Sequence, residues 1–157
     1  MKICFGVVIL LTASMMTQVV AAEQSSGLCG PLRTFIGAVK PDETKSFVFR
    51  TSWGANFNNE SEAVLSASRC ETNGEPAANE VCLYLMKHAS SEFSSIVVEQ
   101  AISCLLPTTQ FDGKLSIESG SFSITYGTED SGALVNISLN EDRKVGGMAF
   151  TVTADGY

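Results

Sequence analysis

The segment "YLMKHASSEF", residues 84–93, places the chain's single histidine, His88, two and three residues before Ser90 and Ser91. Imidazole beside hydroxyl is the raw material of nucleophilic catalysis: the ring takes the proton as the oxygen attacks, and a third group orients the ring. Closeness along the chain does not supply that geometry. The same residues read more simply as the boundary between two helices. Lys87 and His88 put positive groups at a helix C-terminus, where the dipole favours them. Ser90 or Ser91 is a preferred N-cap for a following helix with Glu92 in its first turn. No GxSxG elbow occurs in the chain. His88 is therefore read as structural or surface, and no catalytic residue is assigned.

"NFNNESE" (56–62) offers oxygen ligands but lacks the glycine and the spaced carboxylates of a calcium loop. One histidine and no CxxC leave neither a zinc site of known spacing nor a thioredoxin-like motif. "GTEDSG" lacks the lysine and the following helix of a phosphate loop. No metal or cofactor is expected. The adjacent acids Glu129-Asp130 and Glu141-Asp142 would serve a glycosidase only with two carboxyls about 5–9 Å apart in a cleft; in turns, such pairs point to solvent. Asn59-Glu60-Ser61 and Asn136-Ile137-Ser138 are N-glycosylation sequons.

The elements that must position these groups begin after a leader. Lys2, the apolar run "ICFGVVILLTASMM" and the small residues of "QVVAA" describe a signal peptide, residues 1–22, cleaved before Glu23. Its apolar run is short for a membrane span, and no later segment is longer, so no stable membrane insertion is expected after cleavage. The remainder, 23–157, is 135 residues and one domain. Losing Lys2 leaves 9 basic residues against 17 acidic ones, and the formal charge moves from −7 to −8. That charge argues against nucleic acid and anionic lipid as partners and favours a basic protein. It also keeps an exported protein soluble.

With Cys4 in the leader, Cys29, Cys70, Cys82 and Cys104 make an even set in an oxidising compartment, hence two disulfides and a secreted or periplasmic location. Three pairings exist. Cys70 and Cys82 flank the turn "ETNGEP". Cys82 and Cys104 would be offset along an antiparallel helix pair by about 9 Å, beyond disulfide reach. The expected pairs are therefore Cys70–Cys82 and Cys29–Cys104.

Periodicity divides the chain. "PLRTFIGAVK" reads as a strand. "KSFVFRTSW" is a clearer one, with Phe47, Phe49, Thr51 and Trp53 on one face. Asn58 or Asn59 is a candidate cap for a short helix beyond it. Pro76 opens a helix with the stripe Val81, Cys82, Leu85 and Met86. A second helix carries Phe93, Ile96, Val97, Ala101 and Cys104. In "KLSIESGSFSITYG" a turn at Ser119-Gly120 would pair Ile117 with Phe122 and Leu115 with Ile124. "ALVNISL" and "GGMAFTVTA" form a second pair, with Val135, Ile137 and Leu139 facing Met148, Phe150 and Val152, and Gly146-Gly147 read as a bulge. The fold class is α+β: an antiparallel sheet of N-terminal strands and a C-terminal meander, two central amphipathic helices and two disulfides.

Two short resemblances bear on function. "FTVTADGY" resembles the C-terminal strand of chaperone–usher pilins, which implies a surface-assembly subunit. "ESGSFSITYGTEDSGALV" is similar to the pattern of periplasmic C-type lysozyme inhibitors, which implies loops that plug an enzyme cleft. The helical middle departs from both families, and no residue is carried over from either. The leading expectation is a non-enzymatic exported binding protein, inhibitor- or immunity-like, with Glu129, Asp130, Glu141 and Asp142 as the residues that contact an electropositive partner. A small secreted hydrolase using carboxylates or His88 is the alternative, and a surface-assembly subunit is a third class.

Overall fold

A sheet that is apolar on one face needs a second layer to cover it, and this chain supplies that layer from three helices. The structure is a computed structural model that describes residues 27–111 and 116–157; the expected leader and cleavage site lie outside them. The elements are α1 (Cys29–Gly37), β1 (Thr44–Trp53), β2 (Ser66–Glu71), a 3-10 turn (Pro76–Ala78), α2 (Asn79–His88), α3 (Ser95–Leu105), β3 (Gly120–Gly127), β4 (Gly132–Glu141) and β5 (Met148–Gly156). The strands form one antiparallel sheet in the order β2-β1-β5-β4-β3. The fold is α+β, with the two disulfides Cys29–Cys104 and Cys70–Cys82.

Period-two alternation sets the inner face. Phe47, Phe49, Val135, Ile137, Leu139, Phe150 and Val152 are all buried against the helices. Phe35 of α1 meets Phe47 edge-on at 5.1 Å between ring centroids, and Phe47 meets Phe150 at 6.1 Å. On the opposite face β1 and β2 carry Arg50, Arg69 and Glu71.

Four expectations are corrected. "PLRTFIGAVK" is largely helix α1, because Leu28, Leu32, Phe35 and Ile36 recur at helical spacing and are all buried. Pro31 stands in its first turn, where a missing amide is harmless. Asn58 caps no helix. Its side-chain amide donates to the Arg143 and Lys144 carbonyls, and the chain continues through Asn59 in the left-handed region (φ 70°) toward β2. Among the described residues Ser119-Gly120 closes no hairpin, and Ile117 is in no strand. Residues 112–115, and Leu115 with them, lie outside the described residues, and β3 starts at Gly120 and pairs with β4, Phe122 opposite Ile137 and Ile124 opposite Val135. Alternation fixes which face a residue takes but not which strand it pairs with. Gly146 and Gly147 are not a bulge. Both have positive φ and close the β4–β5 loop through Asp142 N–H to the Gly147 carbonyl and Gly146 N–H to the Asp142 carbonyl. A Cβ on Gly147 would stand 2.2 Å from the Thr51 carbonyl oxygen.

The helices differ from expectation in detail. Val81, Cys82 and Leu85 are buried and Met86 is half exposed. The second helix begins at Ser95, so Phe93 precedes it, and its buried face is Val97, Val98, Ala101, Ile102, Cys104 and Leu105. α2 and α3 each pack on α1 rather than forming a tight hairpin. Ser90 Oγ accepts the amides of Glu92 and Phe93 at 3.3 and 3.1 Å, capping the turn before α3 and not α3 itself.

The two cross-links close loops of unequal length, 75 and 12 residues apart in sequence. Chain entropy assigns the longer about 4 kcal/mol and the shorter about 3. Paired Cys→Ser replacement at Cys29 and Cys104 should therefore destabilise more than at Cys70 and Cys82 in urea denaturation. The reverse order would show that local contacts, and not loop closure, set their worth.

Candidate functional site

His88 occupies the last turn of α2, exposed, with its ring 4.7 Å from that of Tyr84 one turn earlier. Among the described residues no hydroxyl or carboxylate is hydrogen-bonded to it. Ser90 is engaged by the two amides it caps. The elements of a triad are therefore not assembled around this histidine.

The four acidic residues expected to contact a partner separate into two groups. Glu129 and Asp130 lie exposed in the β3–β4 turn, and Glu141 and Asp142 lie at the other end of β4. A ten-residue strand puts about 30 Å between them. Glu129 and Asp130 project from a turn held by Thr128 N–H to the Ser131 carbonyl and by the Tyr157 hydroxyl to the Thr128 carbonyl. Asp142 is a scaffold residue. Its Oδ1 accepts the Lys144 and Val145 amides, both at 2.9 Å, and its Oδ2 accepts from Arg50 Nη1. The Val145 amide, with Arg50 and the Lys144 amide, outweighs burial and holds the Asp142 carboxyl below its ordinary value.

Arg50 extends this contact into a chain across the outer face of the sheet. It bonds Glu71 at 3.1 Å as well as Asp142. Glu71 also meets Arg69 at 3.3 Å, and Arg69 meets Glu60 at 3.3 Å. Burial opposes the Arg50 charge, and Glu71 and Asp142 outweigh it and raise its pKa. Three carboxylates thus surround two guanidiniums. On the helical side Lys45 is held by Glu75 at 3.0 Å and Glu43 at 3.5 Å. Glu75 also accepts the Ala77 amide and so caps the turn that leads into α2. Lys45 first, and that amide second, lower its pKa.

Carboxylates with weaker partners gather elsewhere: Glu118 accepts from Ser116 Oγ at 3.1 Å, and Glu141 meets the exposed Arg143 at 3.9 Å. Two adjoining hollows, of about 480 and 310 Å³, share Glu92, Ser94 and Met148. The first extends to Trp53 and Glu141, the second to Phe93 and Glu118. Together they form a trough between the α2–α3 junction and the ends of β1, β4 and β5. Trp53 and Phe93 are 51% and 56% exposed. The hollows are lined by three carboxylates and, among the described residues, by no lysine or arginine. Thr51 stands in the trough wall, with its Oγ1 buried and without a hydrogen-bond partner. Residues 91–95 thus form one bank of this trough.

A second concavity, of about 700 Å³, runs between β2 and α2. Sequence reasoning paired Cys70 with Cys82 and put Cys82 and Met86 on one helical stripe, but it did not join them into a groove. The available signal was Leu83, an apolar residue off the buried stripe of α2. Of the two sequons, Asn59 is exposed, and Asn136 is half buried in β4, accepting from Ser123 Oγ at 2.6 Å. No protein-family model, curated protein or solved structure matches the chain.

Two outcomes are expected. His88→Ala should change stability by less than about 1 kcal/mol, as surface substitutions do; a larger loss in thermal unfolding would mean that the Tyr84 contact matters more than its exposure allows. The second concerns acid. Asp142 and Glu75 have folded-state pKa values below their unfolded ones. Their contribution to stability is therefore present above about pH 4, the unfolded carboxylate range, and is lost as pH falls through the folded pKa. Asp142→Asn should make the acid limb of the stability–pH curve shallower. An acid limb identical to wild type would place the sensitivity in other groups.

Proposed function

We propose that this chain is an exported, non-enzymatic binding protein, inhibitor- or immunity-like in action, that recognises an electropositive protein partner through the Trp53–Phe93 trough. The observation that carries this reading is the trough's lining: Glu92, Glu118 and Glu141 beside two exposed aromatic rings, with no lysine or arginine in the lining and only the exposed Arg143 reaching Glu141, at 3.9 Å. A carboxylate accepts the donors of a lysine or arginine, and an exposed indole or phenyl face attracts the same cation. The formal charge of −7 over the whole chain adds long-range attraction for such a partner. Two disulfides fit an oxidising compartment. With the signal-peptide pattern of residues 1–22, they support a secreted or periplasmic location. Among the described residues no helix is long and apolar enough to cross a membrane.

The reading shifts emphasis among the acidic residues. Glu141 borders the trough, Asp142 anchors its loop, and Glu129 with Asp130 stand at the far end of β4. Affinity capture from an extracytoplasmic fraction should retain basic proteins on wild type. Glu92→Lys with Glu118→Lys should slow association of the captured partner several-fold at low ionic strength and much less at high salt. Glu129→Lys with Asp130→Lys should slow it less. A partner whose association ignored both the trough reversal and the salt concentration would sink the proposal.

A further inference from the structure

The phase of the β1–β2 ladder determines what β2 offers on its other side. Gly54 N–H donates to the Leu65 carbonyl at 2.7 Å. Counting from that pair, Ala67, Arg69 and Glu71 occupy hydrogen-bonded positions opposite Ser52, Arg50 and Val48. Ser66, Ser68 and Cys70 then turn their backbone N–H and C=O groups away from β1. β2 is an edge of the sheet, and none of these three residues makes a further backbone hydrogen bond to a described residue beyond the sheet.

What lies along that open edge is the 700 Å³ concavity. Its other wall is one face of α2: Asn79, Cys82, Leu83 and Met86, spaced i, i+3, i+4, i+7. Leu83 is 70% exposed and Met86 48%. The Cys70–Cys82 disulfide, with Cα atoms 5.5 Å apart, holds helix and strand at a fixed separation. The groove therefore has a main-chain hydrogen-bonding wall, an apolar wall and a covalent link between them. We propose that it binds an extended apolar and basic segment of a partner polypeptide as a further strand paired to β2. Main-chain bonds to Ser66, Ser68 and Cys70 would hold such a segment, and alternate side chains would lie against Leu83 and Met86.

Charge selects this occupant over a second copy of the chain. Arg69, which stacks over Phe57 at the groove, is shared between Glu60 and Glu71, and Glu80 stands exposed in the first turn of α2. A second copy would bring the same carboxylate surplus and a formal charge of −7 to meet −7. A segment carrying lysine relieves that surplus. The site is separate from the Trp53–Phe93 trough and does not depend on its assignment.

The test uses the full disulfide-bonded chain and a fluorescein-labelled peptide alternating valine with lysine and threonine, read by anisotropy. The peptide should bind. N-methylation of the peptide amides on one edge, which leaves charge and side chains intact, should weaken binding about tenfold or more. Ser68→Pro removes an outward donor without breaking the β1 ladder and should do the same. Leu83→Ser with Met86→Ser, on an exposed face, should also weaken binding, whereas Trp53→Ala in the trough should not. Absence of binding, or binding indifferent to N-methylation and to the Leu83 and Met86 changes, would overturn the proposal. So would sedimentation of the wild type as a dimer that Leu83→Ser with Met86→Ser dissolves, since the groove would then belong to a second copy.

Discussion

The contact between Phe35 and Phe47 joins the helical layer to the sheet, and most of the architecture follows from keeping it. Phe35 comes from α1, a nine-residue helix too short to be stable alone. What holds α1 is tertiary. Its inner stripe is buried on the sheet, and Cys29 ties its first turn to Cys104 near the end of α3. Arg33 donates to the Cys104 carbonyl at 2.8 Å from Nη2, satisfying an acceptor that the end of α3 leaves open. α2 and α3 both pack on α1. Without α1, Phe47 and Phe150 would lose the ring partner that completes their row, and the two other helices would lose their common neighbour.

That dependence explains which parts of the fold were legible in the sequence. β1, β4 and β5 alternate strictly and lie in the centre of the sheet, so their pattern, burial and register agree. Both expected disulfides form, although the antiparallel α2–α3 pair used to exclude Cys82–Cys104 does not, since both helices pack on α1 instead. α1 was misread because "PLRTFIGAVK" mixes β-branched and aromatic residues that favour strands locally, while its helical stripe starts earlier, at Leu28. The partner of β3 was misread because Phe122 and Ile124 face inward equally well beside residues 115–117 or beside β4. A period-two pattern carries no information that separates those choices. Trp53 shares the face of Phe47 and Phe49 by parity, yet it ends β1 and is half in solvent.

The trough is legible only after the layers are placed. Glu92 and Phe93 belong to the α2–α3 junction, Glu118 to the segment before β3, and Glu141 to the end of β4. No sequence spacing links them. They meet because the helices stop short of the sheet end where Trp53 stands. Asp142 illustrates the converse. In sequence it is an exposed acid beside another acid; in the fold two backbone amides and Arg50 occupy its oxygens, so it shapes a loop and has little left to offer a partner.

The two edges of the sheet are managed differently, and this bears on how copies of an acidic chain avoid pairing edge to edge. β3 presents Ser121, Ser123 and Thr125 on the outer face, and Gly127 turns tightly into a loop braced by Tyr157. Among the described residues β2 is braced by no such loop. It carries Arg69 and Glu71 outward and borders an apolar wall. An unpaired strand beside exposed leucine and methionine is an aggregation liability. Short length limits it, since β2 has only six residues. Net charge limits it further, because every encounter between copies brings like charge together. The same acidity that repels another copy leaves the groove open to a chain of opposite sign, so a single property of the surface separates self-association from recognition.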